Sequence, residues 1–229
     1  LLLEILVKTN GIKIEEVPIT GLWHEDLKLL AIKEQDQTPI GYVILDLFPR
    51  ENKFSHACNV YGVVSRTKAN GKSYPGLDIV VANFTKPTPD TPSLLKHSEV
   101  TTLFHEFGHA LHDLFSYHEY KCFSGMGAFM KTDFVEMPSQ MLEEWMWQPS
   151  ILKKISSHYL TQEPLSDLQI ENLVKIKNIN TGSSLQRQCS YSFLALNYFL
   201  EGQDKNLEQI QTNFFNRCSP HFEPTANNH

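Results

Sequence analysis

The period of the apolar positions changes near residue 97. Before it, short runs rich in Val, Ile, Leu and Tyr cover residues 12–18, 27–34, 40–48, 58–65 and 78–84, and each reads as a β-strand. Asp36-Gln37-Thr38-Pro39 reads as the turn between the second and third. Pro87, Pro89 and Pro92 mark a boundary loop. Beyond it the spacing of three and four predicts helices over residues 98–116, 134–147, 149–160, 165–179, 183–201 and 205–216. Repeats and low-complexity segments are absent from the sequence. The expected fold class is α+β, predominantly helical: one domain over residues 1–229, strand-rich over 1–97 and helical over 98–229.

The helix predicted over 98–116 carries two faces. Val100, Leu103, Phe104, Phe107, Leu111, Leu114 and Phe115 form an apolar stripe suited to a core. Ser98 is the expected N-cap, with Glu99 in the first turn. Gly108 inside the helix costs about 1 kcal/mol relative to alanine, which points to close approach of a neighbouring backbone. The other face carries His105, Glu106, His109 and His112. His105-Glu106-Phe107-Gly108-His109 is an H-E-x-x-H motif. Residues four apart on a helix stand about 40° from each other. Two imidazoles so placed can grip one Zn²⁺, and Glu106 can face the metal-bound water as a general base. That combination specifies metal-assisted hydrolysis, most often of peptides.

The third metal ligand has competing candidates. The arrangement with a glycine three residues beyond the second histidine and a histidine six beyond it is excluded, because His112 and Phe115 stand there. His112 lies two turns from His105, about 10 Å along the axis, too far to share a tetrahedral ion on a straight helix. It reads as a residue behind the ligands or near the helix end. A carboxylate from a second helix is the remaining source. Asp133 can cap a helix running to about Trp147, with Pro138 near its first turns and Glu136 early on it. Glu143, seven residues on, either orients a ligand histidine or is a solvated carboxylate. Met141, Trp145, Met146 and Trp147 read as core packing, as do Tyr191 and Tyr198, and His56 reads as structural.

Leu103 to His112, then Phe123-Ser124-Gly125, then Asp133-Phe134-Val135-Glu136-Met137-Pro138-Ser139-Gln140, together resemble the thimet oligopeptidase, neurolysin and oligopeptidase A family of zinc metallopeptidases. Leu45 to Lys53, Val81 to Pro87 and Leu185 to Gln188 resemble that family's other segments, so the resemblance runs from about Gly11 to Phe222. The stretch between Gly125 and Glu136 is slightly longer than the family's. Carried over residue by residue, the resemblance implies that His105, His109 and Glu136 hold one Zn²⁺ and that Glu106 is the catalytic base. It implies a zincin-type core, a small sheet packed on the H-E-x-x-H helix and followed by a helical half. It implies short peptides as substrates, with endopeptidase or dipeptidyl carboxypeptidase action undetermined. It also implies a chain truncated at both ends: a helical region would precede it, and a His/Tyr-rich stretch that binds substrate and stabilises the oxyanion would follow. A substrate backbone can pair with an exposed sheet edge, for which Ile79 to Phe84 or Asn59 to Ser65 are the candidates, each equally able to be internal.

Composition narrows the partners. A formal net charge of −6 gives no basic face for nucleic acid or membrane. Leu1 to Val7 is too short to span a bilayer and lacks the marks of a signal peptide. Cys58, Cys122, Cys189 and Cys218 have no C-x-x-C spacing and read as free thiols, which suggests the cytoplasm and is compatible with mitochondria. No obligate protein partner is inferred. Beside the peptidase reading stand a zinc-binding domain without turnover and a metal-free helix with a chance motif.

Overall fold

The computed structural model describes residues 11–218 apart from 128, 129, 201 and 203; the apolar stretch over 1–7 and the chain end over 219–229 lie outside the described residues. The chain divides into two compact units, one up to Asp167 and one from Leu168. The helix-plus-sheet content is that of an α+β protein.

The first unit holds a five-stranded sheet in the order β1-β2-β3-β7-β4. Its strands are β1 (Lys13–Val17), β2 (Lys28–Lys33), β3 (Pro39–Asp46), β4 (Cys58–Val64) and β7 (Gly76–Val81). β3 and β7 run parallel and the other pairs antiparallel. β3 is central, so its run from Ile40 is apolar on both faces. β7 alternates, burying Gly76, Asp78 and Val80 on one face. The Asp36–Pro39 turn forms as expected: Gln37 takes φ 74°, and the Asp36 carboxylate accepts from the Thr38 N–H at 2.9 Å. A hairpin of β5 (Thr67–Ala69) and β6 (Lys72–Tyr74) was not expected. Its signal was present: Asn70 and Gly71 take φ 52° and 74°, as a tight hairpin turn demands.

Helix α1 (His97–Phe115) lies across the sheet. Its apolar stripe joins Ile32, Ile40, Val43 and Val80 in one core. Gly41 and Gly76 face each other across β3 and β7, and a Cβ on either would come within 2.7 Å of Leu114, which fills the hollow they leave. The helix starts one residue earlier than expected, and its cap lies two residues earlier. Lys96, not Ser98, is the N-cap, because Glu99 reaches back to its N–H at 2.7 Å, and such a box spans three residues. At the far end Phe115 is exposed rather than part of the core stripe. Lys121–Phe123 forms one 3₁₀ turn.

Helix α2 is Met137–Trp145, so Glu136 caps it and Asp133 does not. Residues 131–136 form separate turns, with Phe134 and Val135 donating to the Lys131 carbonyl. Pro138 has no N–H to carry the helical ladder back into those turns. Met146 is fully buried and Trp145 packs on the core, whereas Met141 is exposed on the outer face of α2. Helix α3 (Pro149–Ile155) ends sooner than predicted, where the Ser156 hydroxyl accepts from the Leu165 N–H at 3.0 Å.

The β3 terminus is tied by ions. Asp46 accepts from both Arg50 guanidinium nitrogens at 2.6 and 2.7 Å and from the Trp23 indole at 3.3 Å. The Lys53 ammonium sits 2.8 Å from the same carboxylate and also donates to the carbonyls of Asp46, Phe48 and Ala82. Burial pushes the Asp46 carboxyl up, but these donors outweigh it and hold it at about 2.

The second unit holds helices α4 (Asp167–Ile176, entering from the first unit), α5 (Thr181–Phe199) and α6 (Leu207–Cys218). Phe193 of α5 stacks on Phe214 of α6 at 5.8 Å. Tyr191 is not a core residue: it is exposed, and its hydroxyl accepts from the Arg187 side chain at 3.1 Å. Tyr198 is half-buried. Apolar periodicity reports what a helix can bury, not whether something covers it.

Candidate metal centre

The H-E-x-x-H face of α1 meets the N-terminal end of α2. A Cβ on Gly108 would lie 2.6 Å from Ser139 Cα and 3.2 Å from the Pro138 carbonyl oxygen, so the glycine sets how closely the helices approach. That is the backbone contact expected for it. Ser139, fully buried, donates to Glu136 Oε2 at 3.0 Å and steers the carboxylate toward α1. Sequence reasoning passed over Ser139; its cue is a short hydroxyl side chain in the first turn of a helix behind a candidate ligand.

Three lone-pair atoms converge as a result. His105 Nε2 and His109 Nε2 are 3.1 Å apart, and each is 3.2 Å from Glu136 Oε2. A tetrahedral zinc site with bonds of about 2.0–2.1 Å has ligand atoms about 3.3–3.4 Å apart. The triangle is within a few tenths of an ångström of that, and it is the one three-residue group among the described residues with metal-holding geometry. The protonation pattern also suits a cation. Burial lowers the His109 pKa more than Glu136 raises it, which leaves its ring neutral with a free lone pair. His105 Nδ1 lies 2.5 Å from Glu143 Oε1. A carboxylate only accepts, so the proton belongs on Nδ1 and the lone pair on Nε2, toward the triangle.

His112 is outside the triangle. Its ring meets Phe134 edge-on at 6.0 Å, and its buried Nδ1 has no hydrogen-bond partner. Burial lowers its pKa against the opposing pull of Asp113. His56 is exposed beside Phe54 and takes no part.

Glu106 is buried beside the triangle at 8% exposure. Burial raises its carboxyl, and the charges of Glu136 and Glu143 add to that, while His105 and the backbone amide of Asn59 oppose. Asn59 lies on β4, the sheet edge, whose Val60, Tyr61, Val63 and Val64 are exposed. β7 is internal, so of the two candidate edges Asn59 to Ser65 is the open one. A buried carboxyl, three convergent nitrogen and oxygen atoms and an exposed edge strand are thus neighbours in this unit.

Known proteins carry the same segments. The chain is 39% identical over 194 residues to saccharolysin of Saccharomyces cerevisiae, covering 82% of this chain and 27% of that protein. It is 40% identical over 184 residues to a thimet-like oligopeptidase of Dictyostelium discoideum, covering 78% of the chain and 27% of the relative. Oligopeptidase A of Escherichia coli is 34% identical over 190 residues, 83% of the chain and 28% of that protein. The chain therefore spans just over a quarter of the length of these relatives. The sequence pattern of Peptidase family M3 matches residues 2–225, and the chain belongs to that family.

Proposed function

We propose that this chain is the catalytic core of a zinc-dependent peptidase of zincin type that cleaves short peptides. The observation that carries the reading is the triangle of His105 Nε2, His109 Nε2 and Glu136 Oε2, all within 3.2 Å of one another, beside the buried Glu106. Held by those three residues, Zn²⁺ would supply Lewis acidity toward a carbonyl oxygen and lower the pKa of water. The chain's own residues do the rest. Glu106 takes up a proton at its carboxylate during attack and returns it to the leaving amine nitrogen. Its burial suits this, since a raised pKa makes the carboxylate a better proton acceptor. Glu143 fixes the ring plane and tautomer of His105, and Ser139 fixes Glu136. The edge strand β4 offers unpaired backbone groups to an extended peptide beside Glu106. The names of the relatives, oligopeptidases among them, support short peptides as the substrate class. A zinc-binding domain without turnover gains nothing from a buried general base, so the peptidase reading is preferred.

The test is Glu106→Gln in the intact protein. Glutamine keeps the shape but cannot accept the proton. Zinc content by atomic absorption should be unchanged. Cleavage of a quenched-fluorescent peptide should fall by about 10²–10⁴-fold, the usual contribution of a general base. Wild-type turnover in that variant would remove Glu106 from the mechanism.

A further inference from the structure

We infer that Asp78 and Asp113 form a buried carboxyl pair sharing one proton, and that this pair positions the edge strand β4 and the Gly125–Met126 loop around the metal centre. Both side chains are fully buried at the interface of β7 and α1. On their own elements they sit next to core positions, Val80 on β7 and Ala110 and Leu114 on α1. No ion pair among the described residues involves either carboxyl. Two ionised carboxylates without a cation do not persist in such a place, and one shared proton resolves both the repulsion and the burial.

The hydrogen bonds assign the roles. Asp113 accepts at both oxygens, from the Met126 N–H at 2.6 Å and the Gly62 N–H at 3.4 Å. Asp78 receives the Asn59 side-chain amide on Oδ2 at 3.5 Å and shares the Gly62 N–H with Asp113, while its buried Oδ1 has no partner among these donors. A hydroxyl on Asp78 finds its acceptor in Asp113. Burial and then the Asp113 charge push the Asp78 carboxyl up to about 8, so it carries the proton at neutral pH. The other groups facing the pair are the neutral Asn59 and Gly62 of β4, Ser65 beyond Gly125, and His112 of α1, whose pKa burial lowers against Asp113.

The pair holds two separate segments, β4 through Gly62 and the loop at Gly125–Met126. Gly62 stands at the irregularity in β4 with φ 69°, and Gly125 takes φ 80° with a Cβ position only 2.7 Å from Asp113 Oδ1. Each anchor thus lies at or next to a glycine bend of positive φ. Asn59 links the pair onward, since its side chain meets Asp78 and its backbone amide faces Glu106. Asp78 and Asp113 are positioning residues: they touch neither substrate nor metal.

The effect on turnover rests on the peptidase reading above; the proton and the anchoring do not. The experiment therefore uses the intact, zinc-loaded protein with two readouts independent of cleavage. Infrared spectroscopy at neutral pH should show a protonated carboxyl band that Asp78→Asn removes. Amide hydrogen exchange should show Gly62 and Met126 protected in wild type and in Asp78→Asn, whose amide replaces the O–H donor. In Asp113→Ala, or in Asp113→Asn if the alanine variant does not fold, exchange at one or both amides should accelerate about tenfold or more, the loss of one hydrogen bond. Zinc content should stay constant while KM for a peptide rises more than kcat falls. Above about pH 8 wild type should lose protection at Gly62, and Asp78→Asn should not. Absence of the carboxyl band, or loss of protection in Asp78→Asn at neutral pH, would overturn the shared proton. Full protection of both amides in the Asp113 variants would overturn the anchoring. A wild-type protein that cleaves nothing would refute the peptidase reading alone.

Discussion

Two clusters of charged groups border the same core and use their lone pairs in opposite ways. Around Asp46 every acceptor meets a donor from within the chain: Arg50, Lys53 and Trp23 surround one carboxylate, and Lys53 spends its remaining protons on backbone carbonyls. Around Glu136 the acceptors point at each other. His105, His109 and Glu136 bring lone pairs to within 3.2 Å with no Lys or Arg to satisfy them. The first cluster is complete without a ligand, and its role is to fasten the end of β3. On the reading proposed above, a cation completes the second. Burial already differs: Asp46 is buried, whereas Glu136 is exposed, His105 is half-buried and of the three only His109 is buried. On the same reading the source of the positive charge separates them further: the chain itself at Asp46, a bound cation at Glu136.

The largest expected effect comes from removing one corner of the incomplete cluster. Glu136→Ala should weaken zinc binding by more than the about 10–100-fold that losing an orienting partner costs. His112→Ala should weaken it far less, because His112 lies outside the triangle. Equilibrium dialysis against zinc gives both values. The reverse ranking would mean that α1 bends and that His112 is the third ligand.

The complete cluster should fail differently. Lys53→Met leaves Asp46 buried without its closest ammonium and three carbonyls without their donor. Arg50 still pairs with Asp46, so the loss is that of charged hydrogen bonds and their desolvated acceptors, about 2–3 kcal/mol. Urea unfolding should report that loss, while zinc affinity of the folded protein stays at the wild-type value. A large fall in zinc affinity at unchanged stability would erase the distinction between the two clusters.

Much of this was legible in the sequence, for local reasons. The five strands of the sheet and the six helices follow from apolar period, and the metal motif from four-residue spacing on one helix. What escaped depends on contacts between elements. Residues 134–136 have helical composition, but the missing N–H of Pro138 separates them from α2. Tyr191 and Met141 lie on apolar faces that nothing among the described residues covers fully. Ser139 and Asn59 look like ordinary polar residues until the fold places one behind Glu136 and the other beside Glu106. Asp78 and Asp113 are separated by half of β7 and most of α1 in the chain, and only the packing of that helix on that strand makes them a pair. The Asn70-Gly71 hairpin, by contrast, was readable from its dipeptide alone.

The smallest expected effect tests whether the incomplete cluster has a second layer. Glu143 lies 2.5 Å from His105 Nδ1, and it is partly exposed, so its contribution is screened by water. In Glu143→Gln an oxygen remains to accept the Nδ1 proton, and only the charge is lost. The ring keeps its tautomer but becomes a weaker base toward the metal. Zinc affinity should therefore fall by about tenfold, the low end for an orienting partner, with little change in stability. Glu143→Leu removes the acceptor as well, frees the ring to turn, and should lie toward the about 100-fold end. Dialysis of both variants separates charge from orientation. Wild-type affinity in both would make Glu143 a solvated helix carboxylate that merely meets His105, and would leave the triangle of His105, His109 and Glu136 to bind its cation unaided.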